Sequence, residues 1–211
     1  MKTSVIITAG GTSSRFGNRN KLLEKINGKE VIKYTVEAFE KSDIDEIVIC
    51  ANKAIIPELS EMFSHKIVEG GPTRQASVYN GLKAVMCDYV LIHDGARPII
   101  TPEIINRTIE TVKEKNAVSV MTKTIDTIKE VQDGKIIKTI DRSKLYNTQT
   151  PQAFKYELIK SAHEKLAGKN FTDDAGMLEA LGYDVRIVDG SYKNIKITTQ
   201  SDIELAKIFL K

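Results

Sequence analysis

The sequence is poor in the residues that carry most disulfide, redox and zinc chemistry. Its 211 residues include two cysteines, three histidines and no tryptophan. Cys50 and Cys87 lie apart in apolar surroundings, and the scattered histidines add no metal-ligand spacing, so we expect two buried free thiols. The composition therefore gives no basis for a disulfide-stabilised or zinc-binding class of protein.

Long apolar runs and a strong excess of one charge are missing as well. No window approaches the roughly 18 consecutive apolar residues of a transmembrane helix, and the N-terminus lacks the apolar region and cleavage site of a signal peptide. The net charge of +3 is small, and basic residues alternate with acidic ones, which argues against nucleic acid as a partner. We therefore expect a cytoplasmic protein that binds neither membranes nor nucleic acid.

Apolar runs of strand length alternate with stretches of helical period along much of the chain. The runs SVIIT, EIVIC and YVLIH are apolar without alternation, which is typical of strands covered by helices on both faces. Strands and helices at this spacing predict βαβ units. The expected fold is α/β, a three-layer sandwich with a mostly parallel Rossmann-like sheet, and we expect residues 1–211 to form a single domain.

The pattern changes at residues 126–150, where polar and apolar residues alternate around Asp133-Gly134. An Asp-Gly pair between such runs predicts a β-hairpin, and we interpret this segment as a β-arm that leaves the sandwich. Because an isolated two-stranded ribbon is only marginally stable in water, we expect a partner chain to pack against the arm. Further on, two helices are predicted to end at Gly168 and Gly182, and NIKITT is predicted to be a strand.

The first candidate for chemistry is the loop TAGGTSSRFGNRNK, which follows the first strand and contains no acidic residue. It matches neither a P-loop nor the glycine fingerprint of a dinucleotide site. Gly10 and Gly11 nevertheless allow a tight turn with exposed N–H groups, which makes an anion nest. Arg15 and Lys21 can add contacts to phosphate oxygens. A surface loop with solvated cations is the alternative interpretation, and composition alone does not decide between the two.

Two further stretches follow predicted strands in the same way. EGGPTRQASV repeats the layout of strand, Gly-Gly and helix, with Thr73 as the expected N-cap and Arg74 and Ser77 in the first turn. HDGAR places Asp94 at the end of an apolar strand, where ligands gather in open α/β sheets and an aspartate commonly holds a metal ion or a ligand hydroxyl. A turn cap for Asp94 and a salt bridge for Arg97 are the structural alternatives.

Two late segments complete the set of candidates. NFTDDAGML places Thr172 as the expected N-cap of a helix with Asp173 and Asp174 in its first turn, an arrangement that the helix dipole favours regardless of function. In NIKITT, Lys196 lies between two isoleucines, so it should point to the opposite face of the segment. A lysine near the interior of an α/β layer needs an anion.

With these stretches in order, the sequence resembles the 2-C-methyl-D-erythritol 4-phosphate cytidylyltransferases over essentially its whole length. The resemblance rests on AGGTSSRFG followed by Lys21 and on EGGPTRQASV, HDGARPI, DTIKEV, TIDRSKLYNTQTPQAF, TDDA and NIKITT. It implies a nucleotidyltransferase fold, a homodimer locked by the β-arm, and transfer of a cytidylyl group from CTP to 2-C-methyl-D-erythritol 4-phosphate. It also implies Mg²⁺, or another divalent cation, bridging the triphosphate oxygens.

The resemblance implies roles for individual residues. The nucleotide would be bound by Ala9, Gly10, Gly11, Gly71, Arg74, Ser77 and Asp94. The sugar-alcohol phosphate would contact Asp94, Arg97, Thr150, Thr172 and Lys196 of one subunit, and Thr127 and Arg142 of the other. The catalytic cations would be Arg15, Lys21, Lys196 and Arg142. Asp94 is also the candidate metal ligand.

Some positions depart from the family pattern, and other functions stay open. The departures are Asn20 where proline usually precedes the loop lysine, Ser13 in place of a frequent glycine, and Pro72 in place of an acidic residue. One alternative is a ribitol 5-phosphate cytidylyltransferase, which shares the Gly-Gly-x-x-Arg and His-Asp-x-x-Arg-Pro stretches. Another is a non-catalytic nucleotide-binding subunit of the same fold, against which the retention of Arg15, Lys21, Asp94 and Lys196 argues.

Overall fold

The computed structural model describes residues 1–11, 16 and 20–211. Its strands are β1 (Thr3–Ala9), β2 (Lys25–Ile26), β3 (Lys29–Glu30), β4 (Glu46–Ala51), β5 (Lys66–Glu69), β6 (Tyr89–Asp94), β7 (Ala117–Lys123), β8 (Lys129–Gln132), β9 (Lys135–Thr139), β10 (Tyr146–Lys155) and β11 (Arg186–Asp189). Its α-helices are α1 (Val31–Glu40), α2 (Ile56–Met62), α3 (Arg74–Leu82), α4 (Pro102–Lys115), α5 (Tyr156–Lys165), α6 (Ala175–Ala180) and α7 (Gln200–Phe209). Short 3₁₀ helices span Lys53–Ile55 and Arg142–Lys144.

Seven of the described strands form the main sheet, in the order β11-β7-β10-β6-β1-β4-β5. Strand β1 is parallel to both β4 and β6, β5 is parallel to β4, and β11 is parallel to β7. Strand β10 is antiparallel to both of its neighbours, β6 and β7. The predicted α/β fold with a mostly parallel sheet is confirmed, with one antiparallel strand inserted.

The central strands are apolar on both faces because helices cover the sheet on both sides. Val5 and Ile7 of β1 pack into a core that includes side chains of α1, α4 and α7. Ile6, between them, points the other way into a core with side chains of α3, α5 and α6. Successive side chains of β1 point to opposite faces of the sheet, and both faces are covered by helices. SVIIT therefore shows no alternation of polar and apolar residues. The three layers predicted from the sequence are present.

The hairpin of β8 and β9 lies outside the main sheet. Asp133 and Gly134, between the two strands, have φ angles of 49° and 76°, as a two-residue type I′ turn requires. The predicted hairpin is therefore confirmed. Strand β10 already begins at Tyr146, which pairs with Lys123 of β7. Residues 146–150, which the sequence assigned to the arm, thus belong to the main sheet.

Two local predictions near the C-terminus are wrong. Residues 194–199 form no strand; instead, the Asn194 amide donates to the Thr150 carbonyl at 3.0 Å and the Ile197 N–H donates to the Ala96 carbonyl at 2.8 Å. These isolated bonds hold the segment without a strand partner. Thr172 is not an N-cap, because α6 begins only at Ala175, after Asp174.

Other local predictions are confirmed. The Thr73 hydroxyl accepts the Ala76 N–H at 3.1 Å and caps α3. Gly168 and Gly182, with φ angles of 82° and 78°, follow the ends of α5 and α6, where the left-handed conformation favours glycine. Cys50 and Cys87 are both free, but the prediction of buried thiols holds for Cys50 alone, since Cys87 is half-buried. Among the described residues, no helix is both long enough and apolar enough to cross a membrane.

Candidate active site

The candidate site lies where the strand order reverses. Strands β4 and β5 follow on one side of β1, and the chain then crosses to place β6 on the other side. Thr8 of β1 is in register with Asp94 of β6, so the two strands end at the same edge of the sheet. In open α/β sheets, ligands bind outside the carboxyl ends of the strands at such a reversal. The topology therefore brings the loop after β1 next to Asp94.

A cavity of about 320 Å³ opens at this edge, near the lower end of the volumes typical of small-molecule sites. Its lining consists of Thr8, Ala9, Gly10, Gly11, Lys21, Leu22, Gly71, Pro72, Thr73, Arg74, Ser77, Asp94, Ala96 and Lys196. All the residues that the sequence assigned to the nucleotide are in this lining, together with Lys21 and Lys196. The chain thus brings residues of four separate motifs to one cavity.

Asp94 is the electrostatic centre of the cavity. It is 6% exposed, and its Oδ2 atom lies 2.9 Å from Lys196 Nζ and 3.3 Å from Arg97 Nε. Its Oδ1 atom lies 3.5 Å from Arg74 Nε. Burial opposes ionisation, but the charges of Lys196, Arg74 and Arg97 outweigh it and hold the pKa of Asp94 well below its ordinary value. Asp94 therefore stays ionised and links three cationic side chains.

The two glycine loops meet at the hydroxyl of Ser77, which is 2% exposed. Ser77 Oγ accepts the Gly71 N–H at 3.0 Å and donates to the Thr73 carbonyl at 2.9 Å. A Cβ atom on Gly10 would lie 3.0 Å from this oxygen, and one on Gly70 would lie 2.9 Å from it. Only residues without a side chain allow both loops to approach so closely. Glycines from two distant stretches thus form one wall of the cavity.

Arg74 is the first residue of α3 and pairs with two carboxylates. Its Nη1 atom lies 2.7 Å from Asp174 Oδ2, and its Nε atom faces Asp94. Sequence reasoning missed this role of Asp174, because an acid at the start of a helix already has an explanation in the helix dipole. The signal in the sequence was the doubled aspartate of TDDA, of which the helix needs only one.

Arg97 and Thr150 lie behind the cavity lining rather than in it. Arg97 is 9% exposed and donates from Nη1 to the Asn194 carbonyl at 2.8 Å as well as contacting Asp94. Thr150 is buried, and its Oγ1 atom accepts the Asp94 N–H at 3.0 Å. Both residues therefore support Asp94. Direct contact of either with a substrate stays a prediction.

Three further assigned residues that the structure describes are not in the cavity lining. Thr127 and Arg142 are exposed and lie just before β8 and just after β9, at the open end of the hairpin, where Arg142 Nη1 donates to the Ile125 carbonyl. Thr172 is exposed in the turn before α6. Arg15 lies outside the described residues. The roles that the resemblance implies for these four residues stay predictions.

His93, the residue before Asp94, is fully buried, and burial lowers its pKa to about 3. Its Nδ1 atom lies 3.0 Å from Thr150 Oγ1. Either atom can donate to the other, depending on which nitrogen of the neutral ring carries the hydrogen. The Nε2 atom has no hydrogen-bond partner in the described part of the chain, and the ring packs edge-on against Phe39 at 5.0 Å between centroids. His93 is thus a buried neutral imidazole outside the cavity lining.

Two glycine loops, a helix N-terminus and a set of cations at a strand-order reversal define an α/β protein that binds a phosphorylated nucleotide. The model of the family 2-C-methyl-D-erythritol 4-phosphate cytidylyltransferase matches residues 3–211. The chain belongs to this family. The resemblance and the predicted class of enzyme, a nucleotidyltransferase, are therefore confirmed.

Individual relatives agree with this assignment over their full length. The chain is 43% identical over 224 residues to the 2-C-methyl-D-erythritol 4-phosphate cytidylyltransferase of Clostridioides difficile (strain 630), covering 98% of this chain and 93% of that protein. It is 44% identical over 225 residues to the protein of the same name from Alkaliphilus oremlandii, covering 100% and 95%.

Solved structures give the same result. A 4-diphosphocytidyl-2C-methyl-D-erythritol synthase from Anaerococcus prevotii superposes with a TM-score of 0.86 at 35% identity, covering 99% of this chain and 96% of that one. The 2-C-methyl-D-erythritol 4-phosphate cytidylyltransferase from Thermus thermophilus superposes with a TM-score of 0.87 at 30% identity, covering 100% and 99%.

The buried neutral state of His93 predicts a dependence of stability on pH. In the pH range between the ordinary histidine pKa of 6.5 and the folded-state pKa of about 3, the His93 ring is protonated in the unfolded chain and neutral in the folded chain. Stability therefore falls as the pH drops through this window. We expect the parent to lose about 2 kcal/mol more of its free energy of unfolding between pH 7 and pH 5 than His93→Gln. Urea unfolding at both pH values measures this, and equal losses would contradict it.

Proposed function

We propose that the chain transfers the cytidylyl group of CTP to 2-C-methyl-D-erythritol 4-phosphate. The products are 4-diphosphocytidyl-2-C-methyl-D-erythritol and pyrophosphate, in non-mevalonate isoprenoid precursor biosynthesis. The observation that carries the proposal is the single cavity lined by all the assigned nucleotide-binding residues together with Lys21 and Lys196. Family membership supports the same reaction. A cytoplasmic location stays a prediction.

The reaction needs no general base. A phosphate monoester has a second pKa near 6 and is mostly dianionic at neutral pH, so its oxygen can attack without losing a proton. The titratable groups around the cavity agree with this, because Asp94 is held ionised by cations and His93 is buried and neutral. The obstacle is the approach of a dianion to a polyanionic nucleotide, which fixed cations overcome.

Each cation has a place in this scheme. Lys196, whose side chain is 42% exposed, is held by Asp94 and can also reach an anion in the cavity. We assign Lys196 and Lys21 to the oxygens of the α-phosphate in the transition state. Arg15 is assigned to the leaving pyrophosphate, and Arg142 of the partner subunit to the substrate phosphate.

The base is expected to lie against the glycine wall. Because both glycine loops lie close to Ser77, we expect the cavity to be narrow there and to favour a pyrimidine over a purine. The backbone groups of Ala9, Gly10 and Gly11 then face the nucleotide. Arg74 would contact it from the start of α3.

The residues present fit a magnesium ion that the nucleotide carries. Asp94 is the one carboxylate that the described part of the chain contributes to the cavity lining, and its Oδ1 atom has a single cation contact there, at 3.5 Å. The described residues include no group of three or more histidine, cysteine, aspartate or glutamate side chains that could hold a metal by themselves. This donor set suits Mg²⁺, which usually keeps several waters and binds through one or two carboxylates and substrate phosphates. When bound, the ion would neutralise phosphate charge.

The exposed hairpin supports a homodimer. Ile125, Val131, Ile136 and Ile137 are 65%, 56%, 66% and 53% exposed, an unusual concentration of apolar side chains on a two-stranded ribbon. A second copy of the chain that covers them would remove this surface from water. The same contact would bring Thr127 and Arg142, which lie at the open end of the hairpin, toward the partner's cavity.

The function is tested by pyrophosphate release with CTP and Mg²⁺. We expect release with 2-C-methyl-D-erythritol 4-phosphate and none with ribitol 5-phosphate, and loss of release when ATP, GTP or UTP replaces CTP. Release with ribitol 5-phosphate alone would show that the protein is a ribitol 5-phosphate cytidylyltransferase. If neither substrate supports release while CTP still binds in calorimetry, the chain is a nucleotide-binding subunit.

The role of Lys196 is tested by Lys196→Met, which keeps the aliphatic stem and removes the charge. We expect kcat to fall about a hundred- to a thousandfold, as for the loss of one preorganised donor in other enzymes. Lys193→Met is the matched control, because Lys193 lies in the same segment but outside the cavity lining. Turnover of Lys196→Met within a few-fold of Lys193→Met would remove Lys196 from the catalytic role.

The assignment of Arg142 to the partner's site is tested with mixed dimers. A dimer of one Arg142→Ala and one Lys196→Met subunit contains one intact site if Arg142 acts across the interface, and none if it acts within its own subunit. We therefore expect about half of the parental activity per mixed dimer. Activity no higher than that of either variant homodimer would place Arg142 in its own subunit's site.

A further inference from the structure

Arg74 lies between two buried carboxylates, and the nearer one is outside the cavity lining. The contact between Arg74 Nη1 and Asp174 Oδ2 measures 2.7 Å, whereas that between Arg74 Nε and Asp94 Oδ1 measures 3.5 Å. Asp94 already has Lys196 and Arg97 as closer partners. The guanidinium is therefore held mainly from the Asp174 side.

Asp174 is itself fixed in position by a buried polar network. It is 1% exposed, and the Gln152 side-chain oxygen accepts both its N–H and that of Ala175, at 3.0 and 3.1 Å. On its other side, Asp174 Oδ1 lies 3.5 Å from His163 Nε2. His163 in turn stacks on Tyr79 of α3, with 5.9 Å between ring centroids. The carboxylate thus has little freedom to follow a moving partner.

Helix capping does not explain this carboxylate. Asp174 occupies the N-cap position of α6, yet its side chain makes no capping hydrogen bond. The capping role falls to the preceding residue, because Asp173 Oδ1 accepts the Gly176 N–H at 3.1 Å. The contact with Arg74 is a close ion pair without the geometry of an aligned hydrogen bond. The Asp174 carboxylate therefore pairs with Arg74 and does not cap α6.

We infer that Asp174 is a positioning residue, which holds the Arg74 guanidinium at the nucleotide side of the cavity and keeps it from closing onto Asp94. This inference rests on the proposed function, in which Arg74 contacts CTP. Without the charge of Asp174, Asp94 is the remaining carboxylate with which Arg74 pairs among the described residues. A closer Arg74–Asp94 pair would withdraw the guanidinium from the nucleotide and compete with Lys196 for the same carboxylate.

The test is a double-mutant cycle of Asp174→Asn and Arg74→Met, with KM for CTP and kcat measured for each variant. We expect Asp174→Asn to raise KM for CTP about tenfold, the effect of losing one charged contact, with kcat changed less than about threefold. Arg74→Met should raise KM at least as much. The double variant should match Arg74→Met alone, because Asp174 acts only through Arg74.

The control is Asp45→Asn, which also neutralises one aspartate, but at the opposite edge of the sheet, where Asp45 Oδ2 accepts the Thr3 N–H at 2.7 Å. Its KM for CTP should equal that of the parent. An unchanged KM in folded Asp174→Asn, or increases in KM that multiply in the double variant, would overturn the inference. If Asp174→Asn does not fold, the KM for CTP of the double variant, which lacks the charges of both Arg74 and Asp174, is compared with that of Arg74→Met.

Failure of the inference is distinguishable from failure of the proposed function. A parent that releases no pyrophosphate contradicts the function. The position of Arg74 is then followed by the NMR signal of its Nε–H group, which is assigned by its loss in Arg74→Met. We expect this signal to shift in Asp174→Asn and to stay in place in Asp45→Asn. An unmoved signal in Asp174→Asn overturns the inference whatever the activity.

Discussion

The structure of the site depends on one buried carboxylate. An ionised aspartate away from water is strongly unfavourable unless cations and hydrogen bonds compensate it, and Asp94 at the end of β6 is compensated by Lys196, Arg74 and Arg97. These three cations come from different parts of the chain: the segment after β11, the start of α3 and the turn after β6. The need to pair Asp94 therefore draws these segments to the same edge of the sheet.

The same pairing prepares the cavity for an anion. Cations that repel one another are held close together by Asp94, so their arrangement exists before a ligand arrives. Lys196 and Arg74 keep 42% and 29% of their side chains exposed, and a polyphosphate can therefore share them with Asp94. A cluster of cations without this carboxylate would be pushed apart, and a second carboxylate in the cavity lining would reduce the positive charge that faces the ligand. Asp174 supplies the additional negative charge from behind, where it orients Arg74 without facing the ligand.

Most of the fold followed from the sequence, because strands covered on both faces must be apolar throughout and the β1, β4 and β6 runs have that pattern. Most of the predicted site residues in the cavity followed from motifs that come directly after a strand, whereas Lys196 followed from its place between two isoleucines in NIKITT. Asp174 and Gln152 did not, since their partners are distant in sequence and an acid at a helix start or a glutamine in a strand has an ordinary local explanation. NIKITT has the alternation of a strand, but strand pattern does not supply a strand partner; the side chain of Asn194 holds the segment instead.

The insertion of antiparallel β10 between β6 and β7 connects the hairpin to the site. The chain leaves β7 at Lys123, forms the exposed hairpin and returns as β10, whose Thr150 accepts the Asp94 N–H. The next residues of the same strand continue the support, because Gln152 binds the backbone at the start of α6 and so fixes Asp174. In the proposed dimer, the segment that contacts the partner is thus continuous with the strand that orients both carboxylates. An arm inserted at a connection that does not border β10 would lack this link, which gives a physical reason for its place next to that strand.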